Sequence, residues 1–237
     1  MKTLGLIGGM SWESTIPYYR IINQTVAARL GGLHSARLIL YSVEFSEIEA
    51  MQAEGKWAES GEVLADAAEK LEAAGAEYLV LCTNTMHKVA SQISARVRIP
   101  LLHIAEVTAD ALEEAGIGCV GLLGTKYTMS QDFYKEKLLQ RGLKVLIPAK
   151  EDIEELNRII FQELCLGMIL PQSKERFLRV IGKLSQGGAQ GIILGCTEIG
   201  LLVSQKDTPA ALFDTTEIHA TRAALTAIED SREAEKI

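Results

Sequence analysis

The stretch Leu71–Asn84 reads LEAAGAEYLVLCTN, an apolar run that follows a glycine and ends in small polar residues. A second stretch, Leu184–Thr197, reads LSQGGAQGIILGCT and matches the first without a gap. A shorter echo pairs GLIGG at Gly5–Gly9 with GLLGT at Gly121–Thr125. Helix–glycine–strand patterns also recur by chance in α/β proteins, but two echoes at similar spacing favour an internal repeat. We expect each repeat to end a buried strand in a small polar turn.

Short runs of valine, isoleucine and leucine alternate with amphipathic stretches along the whole chain. Continuous apolar strands joined by helices are typical of parallel sheets that helices cover on both faces. We therefore predict an α/β protein with two pseudo-symmetric units, each a parallel sheet flanked by helices. The predicted first unit comprises residues 1–98 and 210–237, and the predicted second unit comprises residues 99–209.

The composition is that of an ordinary globular protein, since hydrophobic residues make up 48% and charged residues 23% of the 237 residues. A net charge of -7 argues against a nucleic-acid or anionic-membrane partner, because such partners require a cationic surface. No apolar run is long enough to span a bilayer, and the N-terminus is unlike a secretory signal. The four cysteines show no CxxC spacing, which favours reduced thiols and a cytoplasmic protein.

The sequence predicts no metal and no nucleotide cofactor. The four histidines lie far apart in the chain, without a metal-binding pair such as HExxH. The segment GLIGGM at Gly5–Met10 is only a partial dinucleotide motif, with a bulky methionine where a small residue is needed. No phosphate-binding GxxxxGK[ST] segment is present.

The register of the repeat decides which residue of the first turn faces a ligand. Cys82 aligns with Gly195, whereas Thr83 aligns with Cys196. Neighbouring residues at a strand end point in different directions, so Cys82 and Thr83 cannot both line one crevice. Ligands of open parallel sheets bind at the carboxyl ends of the strands. We therefore expect Thr83 and Cys196 on opposite sides of a crevice and Cys82 as an apolar filler.

Cys196 is the candidate reactive thiol of the chain. Its neighbours Gly195, Thr197 and Glu198 indicate an exposed turn, although buried structural cysteines are the commoner type in general. A loop or helix N-terminus at this turn would lower the pKa of the thiol from about 8.5.

Three segments resemble the motifs of the aspartate/glutamate racemase family: GLIGGMSWEST at Gly5–Thr15, TNTMH at Thr83–His87 and GCTEI at Gly195–Ile199. The resemblance covers the whole chain. It implies an amino-acid racemase that needs neither pyridoxal phosphate nor metal, with its active site in the cleft between the two units. It also implies a homodimer and a small amino-acid substrate.

The family pattern implies two cysteines on opposite faces of the substrate Cα, one removing the α-proton as a thiolate and the other returning a proton. In this chain the first of these positions holds Thr83. A threonine hydroxyl is a far weaker acid than a thiol and is a poor general base near neutral pH. We therefore expect Cys196 to be the catalytic base and Thr83 its partner on the other face.

The family also implies substrate contacts around the two turns. Donors near the substrate carboxylate must stabilise the charge that develops when the α-proton leaves. The expected substrate-binding residues are Met10, Gln52, Asn84, Thr85, Thr125, Thr197 and Glu198. His87 is expected to orient a turn or tune a neighbouring acid, and Lys126 is a possible substitute cation.

Substrate specificity departs from the family pattern. Aspartate racemases with these motifs carry an arginine after the second strand, but the loop here has no basic residue before Lys56. Cys165 stands where a lysine is usual. A neutral pocket does not strongly reject uncharged side chains. Broad specificity toward polar or aliphatic amino acids is therefore expected as well as action on aspartate or glutamate.

Two alternatives stay open at the level of sequence. The first is an enzyme similar to maleate isomerase or hydantoin racemase, although both use a cysteine pair that this chain lacks. The second is a homologue with impaired catalysis that binds amino acids as a sensor or regulator.

Overall fold

The structure, a computed structural model, describes the backbone of residues 1–234 and the side chains of residues 1–229. The chain divides into two compact units. Unit 1 comprises Met1–His103 and the chain from His219 onward, and unit 2 comprises Ile104–Ile218. Residues 235–237, which the sequence analysis assigns to the first unit, lie outside the described part of the chain.

Unit 1 alternates strands with helices and adds a short 3₁₀ turn after its third strand. Its elements are β1 (Leu4–Gly8), α1 (Trp12–Leu30), β2 (Leu38–Ser42), α2 (Phe45–Ala53), α3 (Trp57–Ala73), β3 (Tyr78–Leu81), a 3₁₀ turn (Thr85–Val89), α4 (Ala90–Ser94) and β4 (Leu101–Leu102). The helix α11 (Thr215–Ala234) begins in unit 2 and continues into unit 1, since the division falls after Ile218.

Unit 2 has the same alternation of strands and helices, with two short 3₁₀ turns. Its elements are α5 (Ile104–Glu114), β5 (Cys119–Gly124), α6 (Lys126–Ser130), α7 (Asp132–Gln140), β6 (Lys144–Leu146), α8 (Lys150–Gln162), a 3₁₀ turn (Leu164–Leu166), α9 (Pro171–Gln186), β7 (Gly191–Gly195), α10 (Ile199–Leu202), a 3₁₀ turn (Gln205–Asp207), β8 (Ala211–Asp214) and α11 (Thr215–Ala234). None of the helices described in either unit is long and apolar enough to cross a membrane.

The two sheets have the same topology. Each has four parallel strands, in the order β2-β1-β3-β4 in unit 1 and β6-β5-β7-β8 in unit 2. In unit 1 Ile7 pairs with Leu81, and in unit 2 Leu123 pairs with Leu194. These four residues are matched to each other by the two echoes in the sequence. The sheets confirm the predicted α/β class with two parallel sheets flanked by helices.

A glycine turn explains why the repeat is visible in the sequence. Gly75 and Gly188 stand between the helix and the strand of each repeat, with φ values of 96° and 101°. Residues with a Cβ rarely adopt such a positive φ, so both positions favour glycine. The same local requirement therefore recurs in each unit, directly before the strand that leads to a candidate turn.

The unit boundaries in the structure differ from the predicted ones. The strand β4 pairs with β3, which places residues 99–103 in unit 1 instead of the second unit. The strand β8 pairs with β7, which places residues 210–218 in unit 2 instead of the first unit. The physical reason is that each sheet is completed by the strand that follows its turn-bearing strand, so each boundary falls after that strand.

Each sheet is buried on both faces. In β3, Leu79 and Leu81 join an apolar cluster with Leu64 of α3, whereas Val80 and Cys82 join a second cluster with residues of α1 and α11. This alternation follows from the two-residue repeat of a strand. Side chains at Cys82 and Thr83 therefore start from opposite faces of the first sheet.

Candidate active site

Cys82 lies in the core of unit 1. Its side chain is fully buried beside Val80, and its Sγ lies 3.7 Å from the Val80 carbonyl oxygen. Burial raises the pKa of the Cys82 thiol well above its usual range, because a thiolate is poorly solvated there. Cys82 is therefore an apolar filler of the core, in line with the register of the repeat.

Thr83 is the first residue of the turn that follows β3. Its side chain is 7% exposed, and its backbone N–H donates to the Leu81 carbonyl at 2.8 Å. The carbonyl of Thr83 accepts a hydrogen bond from Nδ1 of His87 at 2.8 Å. The predicted substrate-binding residues Asn84 and Thr85 are buried in the same turn. Both backbone polar groups of Thr83, its N–H and its carbonyl, are therefore hydrogen-bonded within unit 1.

Two further predicted residues of unit 1, Gln52 and Met10, lie in the same part of the unit as Met86, which the sequence did not single out. The Nε2 of Gln52, on α2, donates to the Sδ of Met86 at 3.0 Å. Met10, which follows β1, is buried in the same apolar cluster as Met86. The signal for Met86 was available, because it is the fourth residue of the TNTMH motif.

The turn that follows β7 holds the residues predicted for the second unit. Cys196 is 7% exposed, and its Sγ donates to Oε2 of Glu198 at 2.9 Å. The same oxygen accepts a hydrogen bond from Thr197 Oγ1 at 2.9 Å. The Sγ of Cys165, from the 3₁₀ turn after α8, lies 3.7 Å from the other oxygen of Glu198. Glu198 is thus the centre of this turn and joins two thiols and a hydroxyl.

The expected fall in the pKa of Cys196 is wrong. Burial is the largest cause that raises the pKa of this thiol, followed by the negative charge of Glu198 and the neighbouring Cys165. The backbone N–H of Glu198 opposes the rise but does not overcome it. The turn is buried, and α10 after it is only four residues long, so a strong helix dipole is missing. The surroundings of Cys196 therefore favour the thiol over the thiolate.

Thr125 and Lys126 follow β5, the neighbour of β7 in the second sheet. Thr125 is the N-cap of α6, and its Oγ1 accepts the N–H of Thr128 at 3.3 Å. The Lys126 N–H donates to Asn157 Oδ1 at 2.9 Å, and its ammonium lies 5.3 Å from the centre of the Tyr127 ring. Both residues thus begin a short helix at the end of the neighbouring strand.

The structure places Thr83 and Cys196 at equivalent positions of two sheets with the same topology. It also shows that residues 1–229 contain no group of three or more histidine, cysteine, aspartate or glutamate side chains that could hold a metal ion. The model of the family described as Asp/Glu/Hydantoin racemase matches residues 7–223. The chain belongs to this family. It is therefore a racemase, which is a type of isomerase, and the resemblance of its three motifs is confirmed.

Solved structures resemble this racemase over nearly its whole length. A candidate Asp/Glu racemase from Yersinia pestis is 57% identical, with a TM-score of 0.88, and the match covers 96% of this chain and 100% of that one. An aspartate racemase homologue from Pyrococcus horikoshii OT3 is 37% identical, with a TM-score of 0.81 and coverages of 95% and 98%.

A relative from Bacillus subtilis (strain 168) bears the name broad specificity amino-acid racemase. It is 25% identical over 146 residues, which make up 60% of this chain and 63% of that protein. The match therefore spans less than two thirds of either chain, and it adds a related sequence without transferring a substrate.

Proposed function

We propose that the protein is a cofactor-independent amino-acid racemase in which Cys196 and Thr83 act on opposite faces of the substrate Cα. The observation that carries this proposal is the equivalence of the two turns, which follow β3 and β7 at the same place in their sheets. The similarity to an Asp/Glu racemase and to a broad specificity amino-acid racemase supports an amino-acid substrate.

Cys196 must lose its proton before it can remove one from the substrate. Oε2 of Glu198, which lies 2.9 Å from the sulfur, accepts the thiol proton, so that the S–H bond breaks as an O–H bond forms. The thiolate then takes the α-proton from the substrate, and the electrons of the C–H bond remain on Cα. Between these two steps the thiolate is stabilised by the backbone N–H of Glu198, whose hydrogen bond to the sulfur lowers the pKa of Cys196.

Thr83 completes the inversion from the other face. A threonine hydroxyl is a weak acid, but the α-carbanion of an amino acid is a far stronger base than an alkoxide, so Thr83 can protonate it. The reverse step is difficult, because a threonine alkoxide must form before it can remove an α-proton. The two half-sites therefore perform unequal work: Cys196 is the effective base, and Thr83 is chiefly a proton donor.

Substrate charge is stabilised by donors of both turns. Asn84 and Thr85 in unit 1, and Thr197 in unit 2, are the donors that we assign to the substrate carboxylate and the developing carbanion. All three are buried, which strengthens their hydrogen bonds relative to those in water. Met10 supplies an apolar contact, and Thr125 borders the same site from the end of β5.

We propose broad substrate specificity with Gln52 beside the substrate side chain. The thioether of Met86 is a weak acceptor, so the Gln52 amide can exchange it for a substrate carboxylate or amide at little cost. At the position of the family lysine, the thiol of Cys165 lies 3.7 Å from Oε1 of Glu198. Lys126 remains the candidate cation for acidic side chains. Such a pocket binds acidic side chains without excluding uncharged ones.

A homodimer in the cytoplasm completes the proposal. Trp12, Ile16 and Tyr19 lie along one face of α1 and are 60%, 55% and 57% exposed. Contiguous exposed apolar side chains of this kind often mark contacts between protein chains. All four cysteines are reduced thiols in the structure, in keeping with a reducing compartment. Sedimentation at several concentrations tests the dimer, and Tyr19→Glu should shift it toward monomer.

Solvent exchange is the direct test of the proposed reaction. Each of several L-amino acids is incubated with the protein in deuterated water, and the α-position is followed by NMR while chirality is followed by chiral chromatography. We expect α-deuterium and the opposite enantiomer to appear together for aspartate, glutamate and some uncharged amino acids. Failure to exchange any amino acid would favour a binding protein with impaired catalysis.

A further inference from the structure

A group of three histidines lies next to the Thr83 turn in unit 1; His87 and His219 are buried, and His103 is partly buried. The ring centres of His87 and His103 are 4.6 Å apart, and those of His87 and His219 are 5.8 Å apart. These residues are far apart in the sequence and meet only in the folded unit. They are unused by the proton transfers described above, so their grouping needs another explanation.

The hydrogen bond from His87 to Thr83 fixes the protonation of the first ring. A carbonyl oxygen can only accept, so the 2.8 Å contact between Nδ1 of His87 and the Thr83 carbonyl requires a proton on Nδ1. Burial lowers the pKa of His87 far below its usual value, and the neighbouring His103 and His219 add to the effect. His87 therefore acts as a neutral donor.

His219, on α11, makes two hydrogen bonds that fix its ring from both edges. Its Nε2 lies 2.9 Å from the carbonyl of Leu102, the last residue of β4, so Nε2 carries the proton. Its Nδ1 then accepts from the hydroxyl of Tyr18, on α1, at 2.9 Å. Burial lowers the pKa of His219 to about 4, which keeps the ring neutral at physiological pH.

The corresponding turn of unit 2 lacks this arrangement. In the repeat register His87 aligns with Gly200, and a Cβ at Gly200 would clash with Oδ2 of Asp214. A histidine at that position would therefore have to displace the Asp214 carboxylate. The histidine support exists only on the side that carries a threonine in place of a cysteine.

We propose that His87 is a positioning residue for Thr83, and that His219 and Tyr18 hold the ring of His87 against the turn. This inference rests on the proposed function, in which Thr83 delivers a proton to Cα. A displacement of about 1 Å can lower a rate by about a hundredfold, so a weak acid depends strongly on placement. The hydrogen bond to the Thr83 carbonyl fixes the backbone from which the hydroxyl reaches the substrate.

Two substitutions of His87, by asparagine and by glutamine, separate the contribution of the Nδ1 donor from that of the imidazole ring. The nitrogen of asparagine reaches the place of Nδ1, whereas that of glutamine reaches the place of Nε2. Two reactions are measured for the enantiomer whose α-hydrogen faces Cys196: inversion, which needs Thr83, and deuterium exchange without inversion, which needs Cys196 alone. The ratio of these rates reports on the Thr83 side.

We expect His87→Gln to slow inversion by about tenfold and to change exchange without inversion by less than about twofold. His87→Asn should keep the wild-type ratio, because it restores the donor to Thr83. Tyr18→Phe, which removes only the hydroxyl behind His219, should shift the ratio in the same direction as His87→Gln by about twofold. Circular dichroism and thermal unfolding check that all three variants are folded.

Two results would overturn the positioning role. Equal losses of inversion and exchange in His87→Gln would indicate a general structural role, and unchanged rates would indicate none. If Tyr18→Phe leaves the ratio unchanged, the part assigned to His219 and Tyr18 is wrong. A wild-type protein without exchange or inversion would instead refute the proposed function itself, so the two failures are distinguishable.

Discussion

The turn after β3 and the turn after β7 occupy equivalent places in two sheets of the same topology, yet they carry different chemistry. The first offers a hydroxyl at Thr83, whose carbonyl is bonded to His87. The second offers a thiol at Cys196 that is bonded to the carboxylate of Glu198. One fold thus places two acids of unequal strength at matching sites. We propose that each turn supports its own acid, through His87 at Thr83 and through Glu198 at Cys196.

Removal of Cys196 is expected to have the largest effect. Cys196→Ala should lower both exchange and racemisation by about a thousandfold or more, because it removes the only competent base that we assign. Chiral chromatography and NMR in deuterated water measure the two rates. The matched control is Cys82→Ala, which should cost about 1 kcal/mol of stability through lost packing and keep the activity. A folded but inactive Cys82→Ala protein would show that the repeat register is misread.

The variant Glu198→Gln tests whether the Glu198 carboxylate accepts the proton of Cys196 or only disfavours the thiolate through its negative charge. The charge of Glu198 raises the pKa of Cys196, so its removal should lower that pKa and move alkylation by iodoacetamide to lower pH. Racemisation should nevertheless fall by about a hundredfold, because the thiol loses its proton acceptor. The pH dependence of alkylation and kcat are measured on the same variant. Faster alkylation at low pH together with a higher kcat would show that Glu198 only suppresses the thiolate and is not its proton acceptor.

Because Thr83 and Cys196 differ in acidity, the two enantiomers should be converted with different kcat values. The enantiomers have equal free energies, so kcat/KM must be the same in both directions, and any asymmetry changes kcat and KM together. The enantiomer whose α-hydrogen faces Cys196 should have a kcat about tenfold or more above the other. Thr83→Cys should bring the two kcat values closer, whereas Thr83→Ser should keep them apart. Equal kcat and KM in the wild-type protein would contradict the assignment of unequal roles.

The repeat made much of the comparison predictable from the sequence. Because Gly75 and Gly188 meet the same backbone requirement, the alignment that they anchor identified the turn-bearing strands and the equivalent positions of Thr83 and Cys196 in the two sheets. The alternation of a strand then assigned Cys82 to the core. These inferences rest on local geometry, which a sequence pattern expresses directly.

Features that depend on tertiary packing could not be read from the sequence. The sequence does not show which sheet the two-residue strand β4 joins, and its pairing with β3 moves the boundary from the predicted residue 99 to residue 103. The pKa of Cys196 depends on burial by distant helices, and the neighbouring residues suggested the opposite shift. The contact of His219 with Tyr18 joins helices from the two ends of the chain, a pairing that no local motif indicates.

Variants of Gln52 should have the smallest effect, because they change the binding of the substrate side chain and leave the two proton-transferring residues intact. Gln52 belongs to unit 1, and we propose that its neutral amide meets the distal group of an acidic substrate. Gln52→Glu places a like charge there, so KM for aspartate should rise by about tenfold while KM for alanine stays within about twofold. Gln52→Met, of similar size but without the amide, should raise KM for aspartate by about threefold, the loss of one hydrogen bond. Steady-state kinetics with both amino acids measure the ratio, and parallel changes for aspartate and alanine would show that Gln52 does not contact the distal group. The acid–base pair would then keep its roles, and the selection of the side chain would fall to residues of unit 2 such as Lys126.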